Sequence, residues 1–298
     1  MGEEAWLTGR FEEDRPRLRA VAYRMLGSAS EADDAVQEAW LRMSRAETDD
    51  VENLTAWLTT VVARVCLNML RTRRSRREYS LDSLDLYGPG PGEREGAGPV
   101  DPEEEALLAD SVGLALLVVL DTLAPAERLA FVLHDMFAVP FDEIGPMIGR
   151  SPTAARQLAS RARRRVRGGA PVPEADLTRQ RRVVDAFLAA SRGGDFEALV
   201  ALLHPDVVLR ADRSAGPTPT PLLIRGARTV AEGAMAATGR ARYTQPALVN
   251  GSVGLVMAPR GRLFLVLSFT ITEGGITGID VIADAERLRT LDLAVLEV

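Results

Sequence analysis

Apolar residues recur three and four positions apart in two early stretches, Val36, Ala39, Trp40 and Met43 in the first and Leu58, Val62, Val65, Cys66 and Met69 in the second. That period places each set on one side of an amphipathic helix. Ser30 with Asp33 has the form of a capping box and marks the start of the first helix. The second is expected over residues 54–74. A third periodic stretch, residues 141–167, reads FDEIGPMIGRSPTAARQLASRARRRVR. A short helix through Ile144 and Ile148 ends at Gly149, Ser151 caps a second helix, and Pro152 occupies its first turn; this is helix-turn-helix spacing. Ala154, Ala155, Leu158, Ala159, Ala162 and Val166 cover one side of the second helix, and Thr153, Arg156, Gln157, Ser160, Arg163 and Arg164 the other.

Beyond residue 205 the pattern changes to runs rich in Val, Ile, Phe and Thr, so this part reads as mixed α and β. Helices are expected at 180–191, 195–203 and 227–238, and a turn at His204-Pro205-Asp206. Strands are expected at 207–209, 246–257, 262–272 and 275–282, with Asn250-Gly251 a bulge or tight turn inside the second. Gly- and Pro-rich breaks at 88–99 and 168–173 divide the chain into a helical module over 1–80, an acidic linker over 81–105, a helix-turn-helix module over 106–168 and a mixed domain over 176–298.

With 298 residues, 46% of them apolar, the chain has material for about two domains of ordinary size. No run approaches the roughly 20 apolar residues of a membrane span, and the acidic N-terminus lacks the order of a signal peptide, so a cytoplasmic protein is expected. One cysteine, Cys66, and two histidines exclude a disulfide framework and a Cys/His zinc site. All 36 basic residues are arginine, which excludes Schiff-base lysine chemistry and the usual lysine phosphate loop. No cofactor or metal is expected.

Charge falls in blocks. The net charge is -6, yet residues 53–77 hold six arginines and no acid, and residues 150–167 hold seven and no acid. Between them, residues 79–124 hold ten acids and one arginine. On the first helix Asp34, Gln37, Glu38 and Leu41 share a face, which is either a solvated acidic face or a docking surface for a basic partner. On the second, Thr60, Arg64, Asn68 and Arg71 line a basic stripe that continues into Arg73, Arg74, Arg76 and Arg77 beside Trp57. Arginine neutralises phosphates, asparagine reads base edges and an aromatic ring stacks on an unpaired base. The polar face of the helix-turn-helix carries no acid, and its donors suit guanine or adenine in a major groove.

These segments resemble a known family. DDAVQEAWLRM at 33–43 resembles the core-polymerase-binding helix of extracytoplasmic-function sigma factors, AWLTTVVARVCLNMLRTRRSRRE at 56–78 their −10 recognition helix, and residues 123–166 their −35-binding module. The resemblance implies that Asp34, Gln37, Glu38 and Trp40 dock on the polymerase, that Arg64, Asn68, Arg71 and Arg74 meet the opened −10 element, and that Thr153, Arg156, Gln157 and Ser160 read the −35 element with Arg163 and Arg164 on phosphates. The partners so implied are core RNA polymerase and promoter DNA. The C-terminal domain resembles the α+β cone of SnoaL-like polyketide cyclases, with a curved antiparallel sheet, and sigma factors of the SigJ type carry such a domain at this position. Asp212, Asp280 and His204 are its candidate pocket groups, while Glu286 and Arg287 keep the acid-base-Leu order of a segment through which relatives are proposed to contact their own sigma modules. Two other readings stay open from the residues alone: a helix-turn-helix regulator with a small-molecule-sensing domain, and an enzyme with a DNA-binding tether.

Overall fold

The computed structural model describes residues 2–45, 53–80, 113–168, 174–215, 220–259 and 262–296. The acidic linker over 81–105 lies outside them, as does the second Gly/Pro break after Gly168. The chain forms two compact units, Met1–Ser111 with Leu123–Ala162, and Val112–Thr122 with Arg163–Val298.

The first unit is helical. Helices α1 (Gly2–Leu26), α2 (Ala29–Met43) and α3 (Leu54–Ser80) pack on one another. Ser28, not Ser30, caps α2: its hydroxyl accepts from the Glu31 amide, because Ala29 and Ala32 already face the core at the first turn. Helix α3 buries more of its surface than one stripe. Leu58, Val62, Val65 and Cys66 are buried as the period requires, and Thr59, Ala63, Leu67 and Leu70 are buried as well. The additional face is covered by the later helices of the same unit. These are α5 (Pro125–Phe131), continued by a π-helical turn (Val132–Met136), and α6 (Phe141–Ile148). Arg128 is fully buried there and its Nε donates to the Arg24 carbonyl at 3.1 Å. A buried guanidinium is tolerated because it is paired.

The second unit is α+β. Helix α4 (Leu114–Thr122), α8 (Glu174–Gly193), α9 (Phe196–Leu202), α10 (Ala227–Ala236), α11 (Thr238–Ala241) and α12 (Ala285–Thr290) accompany strands β1 (Leu203–Ala211), β2 (Leu222–Arg225), β3 (Thr244–Val249), β4 (Ser252–Met257), β5 (Leu265–Thr272), β6 (Gly275–Ile282) and β7 (Leu293–Ala294). The described strands form one sheet in the order β2-β1-β6-β5-β4-β3-β7. It is mixed rather than wholly antiparallel, because β1 and β6 run parallel. The expected strand at 246–257 is a hairpin: Asn250 and Gly251 both have positive φ, 51° and 81°, which makes a two-residue turn with Val249 opposite Ser252. The expected turn at His204-Pro205-Asp206 is instead an irregular stretch of β1, where the register to β6 shifts between Leu203 and Val208. The core of this unit centres on Phe187 and Phe269, whose rings meet edge to face at 5.3 Å, with Leu199, Val207 and Ile279 buried around them.

Helix α4 has an unexpected place. Leu114, Leu117, Val118, Val119 and Leu120 are all buried, and the helix packs on β3 and β7. The Ala115 amide donates to Gln245 Oε1 on β3 at 3.4 Å. An apolar sequence without a polar face is what a helix covered on all sides requires.

Candidate nucleic-acid and polymerase interface

The helix-turn-helix is built by α6 and α7 (Pro152–Arg167). Gly149 closes α6 in the left-handed region at φ 66°. Gly145 is needed for a different reason: a Cβ there would lie 2.8 Å from the Arg150 carbonyl oxygen, so the turn approaches the helix too closely for any side chain. The Ala154 amide donates to the Ser151 hydroxyl at 3.2 Å, and Pro152 begins α7. Ala155, Ala159 and Ala162 are buried, and their small size lets α7 sit close to its support.

On the opposite side Thr153, Arg156, Gln157, Ser160 and Arg164 are exposed, and Arg163 is half-buried. The basic residues of α7 are not equivalent. Arg161 Nε pairs with Glu127 Oε1 at 3.0 Å and so is anchored to α5. Arg156 instead has its guanidinium carbon 5.4 Å from the centroid of the Phe141 ring.

On α3, Arg64, Asn68 and Arg71 are exposed at helical spacing. Arg74 lies on the same helix, with its side chain outside the described residues. Arg73 departs from the basic stripe: it forms a part-buried ion pair with Glu31, and its Nη1 donates to the Leu26 carbonyl at 3.4 Å. It braces the first turn of α2. On α2, Asp34 and Gln37 are exposed, Glu38 pairs with Arg42 at 2.9 Å, and Trp40 packs on the Phe11 ring at 5.0 Å.

The C-terminal candidates are engaged in the domain's own structure. Asp212 accepts from the amides of Ala283, Asp284 and Ser214 at 2.8, 2.7 and 3.2 Å, and Arg287 Nη1 lies 3.7 Å from it. Asp284 caps α12 through the amides of Glu286 and Arg287. Asp280 faces Arg210 across the parallel pair at 3.9 Å, both partly exposed. His204 Nδ1 accepts from the Asp206 amide at 3.2 Å within the irregular part of β1.

Two titration shifts stand out, neither on the exposed faces of α3 and α7. Burial pushes the Cys66 thiol up to about 12, opposed by the charge of Arg128. Burial also draws Arg24 below its ordinary value. Arg128 and the Phe141–Arg156 contact have no periodic signature in the sequence. Among the described residues no cluster of three His, Cys, Asp or Glu could hold a metal, and no helix is long and apolar enough to cross a membrane.

The family description Sigma-70 region 2 matches residues 10–76, and Sigma-70, region 4 matches residues 113–166. The chain is 37% identical over 296 residues to the ECF RNA polymerase sigma factor SigJ of Mycobacterium tuberculosis (strain ATCC 25618 / H37Rv), covering 93% of this chain and 91% of that protein. It is 31% identical over 297 residues to the "Probable ECF RNA polymerase sigma factor SigI" of Mycobacterium tuberculosis (strain CDC 1551 / Oshkosh), covering 98% of each. A crystal structure of Mycobacterium tuberculosis SigJ covers 94% of this chain and 97% of that one at 33% identity, with a TM-score of 0.46. With both sigma-70 regions matched and a SigJ relative aligned along nearly the whole length, the chain belongs to the extracytoplasmic-function sigma factors, initiation factors rather than enzymes, which direct RNA polymerase to promoters.

Proposed function

We propose that this sigma factor reads its −35 element with the exposed face of α7 and that its C-terminal domain tunes the module presenting that face. The observation that carries the first part is an acid-free helix whose exposed positions include Thr153, Arg156, Gln157, Ser160 and Arg164. Arg156 presents a fork of donors that fits guanine O6 and N7, and Gln157 fits adenine. Arg163 and Arg164 serve phosphates. Arg64, Asn68, Arg71 and Arg74 meet the opened −10 element, while Asp34, Gln37, Glu38 and Trp40 dock on core RNA polymerase in the cytoplasm.

Tuning is supported by two contacts. Helix α4, which falls within the matched region 4, packs on β3 and β7, and the Val295 amide donates to the Val166 carbonyl at the end of α7 at 2.9 Å. Asp212, Asp284 and Arg287 serve this role by holding α12 just ahead of β7.

Run-off transcription from a genomic promoter library, with core polymerase and the full chain, tests the reading. Arg156→Ala is expected to cost about 1–3 kcal/mol at one base of the −35 element, whereas Arg164→Ala weakens matched and scrambled elements alike. Equal losses for Arg156→Ala on both would remove Arg156 from the readers. Ala294→Arg, at the strand that meets Gly168, tests tuning: a changed transcript yield at equal polymerase binding supports it, and an unchanged yield refutes it.

A further inference from the structure

Arg156 differs from Arg161, five residues along the same helix, in what restrains it. Arg161 is held through its Nε by the Glu127 carboxylate at 3.0 Å, which offsets its charge. Among the described residues Arg156 makes no ion pair, and its guanidinium is stationed at the Phe141 ring. An aromatic ring holds a guanidinium by its flat face and leaves the N–H edge free. That edge is the part that meets O6 and N7 of a guanine.

The ring is itself fixed. Phe141 is the first residue of α6, is buried, and stacks on the His134 imidazole with centroids 3.9 Å apart and planes inclined by 27°. His134 Nδ1 is in turn within 3.1 Å of the Val139 carbonyl oxygen, at the bend where Ala138 adopts φ 56°. Ring, imidazole and bend form a backing plate at the start of the first helix of the motif, aimed at the second turn of the reading helix. A long side chain that must be immobilised on binding loses affinity to its own rotamer freedom, and prior restraint removes part of that loss.

We infer that Phe141 is a positioning residue for −35 recognition, holding the Arg156 guanidinium with its donor edge presented to the base. This rests on Arg156 being a reader. Phe141→Leu keeps an apolar side chain and removes the ring face, while Phe141→Tyr and Phe141→Trp keep a face.

The test is competition binding of full chain plus core polymerase to a promoter chosen from the transcription assay and to its single-base −35 variants, for wild type, Phe141→Leu, Phe141→Tyr, Arg156→Ala and the Phe141→Leu/Arg156→Ala pair. At the base that Arg156→Ala reveals, Phe141→Leu is expected to reduce discrimination about two- to fivefold. Phe141→Tyr is expected to retain it, and the pair to lose no more than Arg156→Ala alone. Loss of affinity for all elements alike in Phe141→Leu, no change in discrimination, or an effect persisting in the Arg156→Ala background would overturn the inference and leave Arg156 a reader. If Arg156→Ala leaves discrimination intact at every base, the reading of Arg156 falls, and the positioning role with it.

Discussion

Cys66 is surrounded by the core of the helical unit, and its raised thiol pKa makes it a probe of that core. The thiol stays protonated when folded up to about 12, against 9.0 without burial. A group whose folded pKa is raised adds stability below the unfolded value and loses it as pH climbs towards the folded one, so this contribution is complete below about pH 9 and fades above it. Native chain at pH 9 is therefore expected to resist iodoacetamide, and urea-unfolded chain to be alkylated readily, with mass spectrometry reading the difference. Rapid labelling of the native chain would mean that the helices around Cys66 open. At this scale the sequence separated polar faces from apolar ones, but it did not sort arginines by role. Arg73 and Arg161 are engaged by acids 42 and 34 residues away, and such pairings have no local signature. The single-cysteine core position, by contrast, was legible from the i, i+4 spacing of its neighbours.

At the level of elements, the helix-turn-helix depends on two glycines for separate physical reasons. Gly149 supplies a left-handed φ, which the turn signal foretold. Gly145 supplies absence of volume, which no turn signal foretells, since it sits inside a helix that would otherwise favour alanine. Gly145→Ala should raise helix propensity yet lower stability by about 1–3 kcal/mol, because the Arg150 carbonyl must move. Urea unfolding checks the sign; a stabilised variant would show that the turn yields at little cost. Helices α2, α3 and α7 were readable from period alone, whereas the 25-residue α1 was not read from the sequence. The sheet was less so, since β2 is four residues long and β7 two, both too short to show alternation, whereas Asn250-Gly251 did mark a bulge or tight turn and only the choice between them needed the structure.

Across the whole molecule, the structural units do not follow the linkers. The matched region 4 spans residues 113–166, but α4 belongs to the α+β unit and the division falls inside α7 after Ala162. The Gly/Pro break after Gly168 looked like a clean boundary because composition registers where a chain bends, not what a preceding helix is buried against. A chain ending at Gly169 would strip β3 and β7 from α4 and leave Leu117, Val118, Val119 and Leu120 to find other cover. It is expected to self-associate in light scattering and to melt at a lower temperature than the full chain; a monomeric, equally stable truncation would show that α4 does not depend on the sheet.

Helix α4 also bears on transplantation. A C-terminal domain joined only at its front could be cut from one sigma factor and grafted to another with a single splice. Here the unit is assembled from Val112–Thr122 and Arg163–Val298, on either side of the helix-turn-helix core. A working chimera therefore needs three splices, one before α4, one between α4 and α5 and one within α7, so that the face of α4 and the sheet it covers come from the same parent.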